Sequence, residues 1–224
     1  MRSRIAGVLF RPRRTMAEVC ERPTWVTPWI LIMAAWAVCG TWLVSTPVGR
    51  QAMVDERVRL VEAFGGRMGD AEYARVQANP PLLTYFMTGG RLLLAPPLTL
   101  LAALSVWLVA RARERPSRQV AHSEEASRTR QVAPEGQRTT YRQALAVTVH
   151  ATMVLALGQI IATPIHYVRE SLTSPLTVAL FLPFVDEGTL LSRVYGVLDL
   201  FGLWWLGLMA IGTTTLTRRR RMAF

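Results

Sequence analysis

The stretch that most constrains this chain is its last apolar run, Leu190 to Leu216, with the four arginines that follow it. From Val194 to Leu216 the run carries one charge, Asp199. A helix needs about 20 mainly apolar residues to cross a bilayer. Lipid also requires every backbone amide to be satisfied within the crossing element. A run of this length fits a membrane-crossing helix and is longer than a soluble core element needs. Arg218, Arg219, Arg220 and Arg221 then make a basic stop.

Similar runs lie upstream. The first predicted span runs from Trp25 or Pro28 to Thr46, with Trp25 and Trp29 at its entry and Trp42 near its exit, as an aromatic belt expects. The second is Leu92 to Ala110. Leu82 to Met87 is its apolar lead-in, interrupted at Gly89-Gly90-Arg91, and Pro96-Pro97 predicts a kink because two amide donors are missing. The third is Gln143 to Thr163, closed by Pro164. Pro175 to Val185 is apolar but has only about half the length a span requires. The fold class that follows is all-α. It is a polytopic helical membrane bundle with four full spans, a short fifth hydrophobic segment and an N-terminal interfacial amphipathic helix. With 224 residues, 51% of them hydrophobic and 18% charged, residues 1–224 read as a single membrane domain.

The connections carry the charge. Residues 1–24 form a basic interfacial entry. Thr15 and Glu18 match a capping box, and Met16, Val19 and Cys20 supply an apolar side among arginines that include Arg11, Arg13 and Arg14. This is the pattern of a helix lying on an anionic leaflet. Residues 48–81 form an outer helical loop, with one helix over Gln51 to Phe64 and a second from Asp70 to Gln77. Its arginines and acids balance. Residues 111–142 form a basic cytoplasmic loop. The positive-inside rule places the N-terminus, this loop and Arg218–Arg221 on the cytoplasmic side. The net charge is +11 and every basic residue is Arg, a composition that fits a high-GC bacterial source and therefore the cytoplasmic (inner) membrane. The arginines flank apolar runs, so the partner they imply is anionic lipid headgroups and not nucleic acid.

Within the spans, Ala144, Thr148, Thr152 and Ala156 repeat every four residues. They make a small, weakly polar ridge suited to close helix packing and shared hydrogen bonds. Counted from the cytoplasmic ends at ~1.5 Å per residue, Asp199 lies about 25 Å in, Gln159 about 24 Å and Arg91 about 28 Å. The three form a candidate intramembrane polar cluster. Pairing of Asp199 with Gln159 or Arg91, capping of the last helix, and a proton or ion relay remain open roles for the carboxylate. His150, on an apolar face with Ala146, Met153 and Leu157, reads as a neutral, locally bonded histidine. Cys20 and Cys39 are not expected to pair. With three scattered histidines they give no metal-ligand spacing, so neither metal nor cofactor is expected. A lone Asp199 forms no aspartyl dyad, and neither a Ser–His arrangement nor a phosphate-binding loop is present, so no enzyme is expected.

Two ends of the chain also look familiar together. The opening R-I-A-G-V-L-F-R-P-R-R-T-M-A-E-V-C-E-R-P-T-W resembles that of bacterial Yip-family membrane proteins. The closing L-D-L-F-G-L-W-W-L-G-L-M-A-I-G resembles that family's D-x-F-x-x-W-x-x-x-L-x-x-x-G signature, on Asp199, Phe201, Trp204, Leu208 and Gly212. The resemblance implies a small polytopic helical protein with a cytosolic N-terminus and five membrane segments, often with the C-terminus outside. Eukaryotic relatives interact with Rab-type GTPases and with partner membrane proteins. No catalytic residues come with it. The function expected is a non-enzymatic membrane scaffold or adaptor that binds a membrane or cytosolic protein. The alternative is a transporter or channel component with a polar site near Arg91, Gln159 and Asp199.

Overall fold

The computed structural model describes residues 2–78, 82–112, 139–177 and 199–221, with backbone only at 2–5, 82–89, 91 and 218–221. These residues form eight helices: α1 (Arg2–Phe10), α2 (Pro12–Glu21), α3 (Val26–Ser45), α4 (Pro47–Ala63), α5 (Asp70–Ala78), α6 (Leu82–Ala112), α7 (Tyr141–Arg169) and α8 (Leu200–Arg221). Four stretches are long and apolar enough to cross a membrane: Val26–Ser45, Leu92–Ala112, Tyr141–Arg169 and Leu200–Thr217. The chain is an integral membrane protein built as an all-α helical bundle. The most buried of these spans is α7: 67% of its most apolar window is buried, against 17% for each of the other three.

Backbone contacts divide the chain into two compact units. The first comprises Met1–Trp29, Pro97–Met153 and Trp205–Phe224, and the second Ile30–Pro96 and Val154–Trp204.

In the first unit, α1 ends at Phe10 and Pro12 opens α2. It occupies the first turn, where its missing N–H costs nothing. That start puts Thr15 inside the helix, where Oγ1 donates to the Arg11 carbonyl at 3.1 Å. Glu18 pairs with Arg14 at 3.3 Å. The capping box expected at Thr15 and Glu18 therefore does not form. The apolar side of α2 is present, but it faces protein. Met16, Val19 and Cys20 are buried, as is Val8 of α1. Full burial of side chains like Met16 and Val19 contributes about 1.5–3 kcal/mol each. The N-terminal amphipathic element is thus a folded part of this unit, and its polar side carries the exposed Arg11, Arg13 and Arg14.

A capping box does form, one span later. Thr140 precedes α7; its Oγ1 accepts from Gln143 N at 3.3 Å, and Gln143 Oε1 accepts from Thr140 N at 3.0 Å. The Gln143 amide then donates to the Cys20 carbonyl at 3.1 Å, tying the end of α2 to the start of α7. The end of α6 is tied to the same place by Trp107, whose Nε1 donates to the Thr139 carbonyl at 3.2 Å.

In the second unit, α4 follows α3 almost without a break. Thr46 caps it, accepting from Gly49 N at 3.0 Å, with Pro47 in the first turn. Both helices expected in this connection are present. They are joined by Gln51, which donates to Tyr73 Oη at 2.7 Å and accepts from Gln77 at 3.2 Å. Gly89-Gly90-Arg91 does not separate the apolar lead-in from the second span, since α6 is continuous from Leu82. A glycine costs a helix about 1 kcal/mol relative to alanine, less than unsatisfied backbone in hydrocarbon. Likewise α7 runs through Pro164 to Arg169. It stops at Glu170, whose φ of 51° is left-handed. Ser171 N reaches the His166 carbonyl at 3.2 Å and Glu170 N the Tyr167 carbonyl at 3.4 Å, the two bonds of a Schellman stop. Of the short apolar segment Pro175–Val185, only residues 175–177 are described; the remainder lies outside the described residues, as does most of the 111–142 loop.

Candidate functional site

The site begins at the charge in the last apolar run. The membrane-length stretch starts at Leu200, so Asp199 stands at its edge and not within it. Its Oδ1 accepts from Phe201 N at 2.8 Å and Gly202 N at 3.1 Å, which is helix N-capping. Its Oδ2 accepts from Ser174 Oγ at 2.7 Å. Leu200 N also donates to the Leu176 carbonyl at 3.0 Å, and Thr177 bridges to Asp199. One carboxylate thus satisfies two free amides at the head of α8 and holds the 174–177 segment across them. Its negative charge sits at the positive end of the helix dipole.

Gln159 is engaged on its own helix. Its Nε2 donates to Thr163 Oγ1 at 3.1 Å, and Thr163 Oγ1 donates to the Gln159 carbonyl at 2.6 Å. The Arg91 side chain lies outside the described residues. Of the roles open to Asp199, the geometry therefore shows the cap.

The residues that follow Asp199 form a packing seam between α8 and α7. In the second unit, Phe201 lies against Gly158; a methyl group on that glycine would sit 2.7 Å from the ring Cγ. Trp204 stacks on Phe201 with centroids 6.4 Å apart. In the first unit, Leu208 is 1% exposed. There Gly212 faces Val147, and a methyl group on it would also lie 3.7 Å from Met16 Sδ. Each position of the D-x-F-x-x-W-x-x-x-L-x-x-x-G pattern thus has a structural role. In order, these are a helix cap, a ring on a glycine, a ring on a ring, a buried leucine and a close helix approach.

A model of the Yip1 domain matches residues 6–224. The chain belongs to the Yip1 domain family. No curated protein and no solved structure matches it. The match extends from α1 to the arginine tail, so both units are part of the Yip1 domain. Four candidate spans are seen among the described residues.

The small-residue ridge of the Yip1 domain is buried throughout at Ala144, Thr148, Thr152 and Ala156. Its hydroxyls turn back on their own helix. Thr148 donates to the Ala144 carbonyl and Thr152 to the Thr148 carbonyl, each at 2.9 Å. The ridge therefore presents methyl groups and small side chains outward. His150 is buried, with Nδ1 2.8 Å from the Ala146 carbonyl. Between α6 and α8, in the first unit, lies an open groove of about 350 Å³. It is lined by Ala102, Val106, Val109, Trp205 and Met209 together with the back-bonded hydroxyls of Ser105 and Thr213. Cys20 and Cys39 are not joined in a disulfide, and no three potential metal ligands gather among the described residues.

Arg11, Arg13 and Arg14 are exposed. The helix does not stop at the arginine tail: α8 continues to Arg221, and the side chains of Arg218, Arg219, Arg220 and Arg221 lie outside the described residues. Two structural features went unread in the sequence, the Thr140–Gln143 box and the junction at Trp107. The first was legible, because T-Y-R-Q before an apolar run fits the same S/T-x-x-E/Q template. The second had no sequence signal, since Trp107 and Thr139 are 32 residues apart.

Proposed function

We propose that this Yip1-domain protein is a non-enzymatic membrane scaffold or adaptor that binds a protein partner through an exposed basic face on α2. What supports the reading is the state of Arg11 and Arg13. Both are exposed, and neither forms an ion pair among the described residues, while the opposite side of the same helix is locked into the first unit. A rigidly held helix that offers unpaired guanidiniums suits an acidic partner surface. Two of the three polar groups that would begin a transport pathway are already engaged: Asp199 with three donors and Gln159 with Thr163. The adaptor reading therefore needs fewer added parts.

Removing residues 1–24 would also remove Val8, Met16, Val19 and Cys20 from the core, so the test uses substitution. The R11E/R13E variant should fold and insert like the wild type. In purification from detergent-solubilised host membranes it should lose a protein that the wild type retains. Identical retained proteins for both would remove the reading.

We also infer a cytoplasmic-membrane location with both termini cytoplasmic. Support comes from the arginines of the N-terminal segment, of residues 111–142 and of the tail, which all belong to the first unit. A tag placed after Phe224 should be inaccessible in intact cells and accessible after permeabilisation. Labelling in intact cells would overturn the orientation.

A further inference from the structure

At the junction of α6 and α7, Trp107 and Tyr141 meet edge to face, with ring centroids 6.5 Å apart and planes at 86°. Both rings are anchored by their polar ends. Trp107 Nε1 donates to the Thr139 carbonyl at 3.2 Å, and Tyr141 Oη donates to the Leu100 carbonyl at 3.1 Å. The Arg111 guanidinium lies 4.2 Å from the centre of the Trp107 ring. Arg142 follows Tyr141 directly and is exposed, as is Arg111. Neither arginine forms an ion pair among the described residues. All of these residues belong to the first unit.

A guanidinium stacked on an indole is held by its face, which leaves its N–H edges free and fixed in direction. That edge matches two oxygens of a phosphate. The depth decides which phosphate. Arg111 is the penultimate residue of one candidate span and Tyr141 the first residue of the next, so the pair of rings stands where the hydrocarbon ends. Trp and Tyr favour that level, and it is where phospholipid phosphates lie.

We propose that Arg111 and Arg142, set around Trp107 and Tyr141, form a binding site for the phosphate of an anionic phospholipid headgroup. This site uses none of the α2 arginines assigned to the partner face. The lipid would bridge the ends of two spans that are separated in sequence by the basic 111–142 loop.

The test is native mass spectrometry of the full chain in detergent, titrated with phosphatidylglycerol or phosphatidylcholine. The wild type should retain phosphatidylglycerol in preference to phosphatidylcholine. R111Q/R142Q should bind it about thirtyfold more weakly, in line with the loss of two surface charges beside an anionic headgroup. R67Q/R75Q, which removes two exposed arginines from the second unit, should match the wild type. R111K/R142K keeps the charge but not the planar fork and should fall between; it decides the case if R111Q/R142Q lowers the melting temperature. The site is overturned if R111Q/R142Q keeps wild-type affinity at wild-type stability, or if R111K/R142K matches the wild type. It is also overturned if the two lipids bind equally, or if millimolar inorganic phosphate displaces the lipid.

Discussion

The two units are cut from the same four spans, yet they differ in charge. The first holds 18 arginines against six carboxylates, a net +12, and the second eight against nine, a net −1; together they return the chain's +11. Hydrophobic content does not separate them, because each takes part of every span. The difference lies in the segments that flank the spans. The first unit is closed by apolar burial: Val8, Met16, Val19 and Cys20 inside, with Gly212 admitting Val147. Polar clasps join segments in both: Gln143 on Cys20 and Trp107 on Thr139 in the first, and Thr46 on α4, Gln51 on Tyr73 and Asp199 on Ser174 in the second. Substitutions at the buried side chains of α2 and at the seam glycines should therefore have large volume effects, and those at the clasps smaller hydrogen-bond effects.

The largest expected effect is Met16→Ala. The side chain is fully buried, and such truncations cost about 2–5 kcal/mol. Phe10→Ala, eight-tenths exposed at the end of α1 (82%), should stay within about 0.5 kcal/mol. Thermal unfolding of the detergent-solubilised chain separates the two. If the apolar face of α2 lay in lipid, the Met16 substitution would be nearly silent. Next come the seam glycines. Gly212→Val and Gly158→Val each place bulk where a single methyl already collides, against Val147 and Phe201. Overpacking of this kind costs about 1–3 kcal/mol. The two variants probe the same helix pair in different units, and Gly207→Val is the control, since nothing lies within 4 Å of a methyl group there. Equal loss at all three would dissolve the seam.

The spans were legible because their signal is length in hydrocarbon, which needs no knowledge of neighbours. Four runs read from sequence became four spans, with the ends of the first two shifted by one or two residues, the third running on to Arg169 and the last beginning at Leu200. Boundary errors arose where a local breaker met a stronger constraint. Gly89-Gly90 and Pro164 look like stops, but α6 and α7 run through them. The side chosen by an amphipathic face was not legible. Met16, Val19 and Cys20 mark an apolar side equally well for lipid and for protein, and only the approach of Gly212 shows which. Asp199 was legible in part: capping of the last helix was among the roles open to it, and the helix begins one residue after it. The bonds that decide this come from Ser174 and from its own amides, and no periodicity in the sequence encodes the first of them.

Asp199 gives a smaller effect that tests the cap directly. Asp199→Ala removes an acceptor from Phe201 N, Gly202 N and Ser174 Oγ and should cost about 1–2 kcal/mol. Asp199→Asn keeps a good cap and should lose only a few tenths, mainly the favourable charge at the helix end. A loss for Asn as large as for Ala would mean that the charge itself matters, and would restore an ionic role for the residue.

The smallest effect has the opposite sign. Glu170 ends α7 with φ at 51°, a conformation that glycine adopts without cost and that a residue carrying a Cβ resists. The two Schellman bonds are made by backbone groups of residues 170 and 171, so the glutamate side chain is not needed for them. Glu170→Gly should therefore stabilise the second unit by about 1 kcal/mol, the relief of a non-glycine residue from the left-handed region. Glu170→Ala keeps the Cβ and should gain nothing. Melting of the two variants side by side isolates the backbone term, because both lose the same carboxylate. A gain shared by both would assign the effect to removal of the charge from the negative end of the α7 dipole. A gain for glycine alone would show that the turn after α7 is held against its own residue by the packing of the second unit.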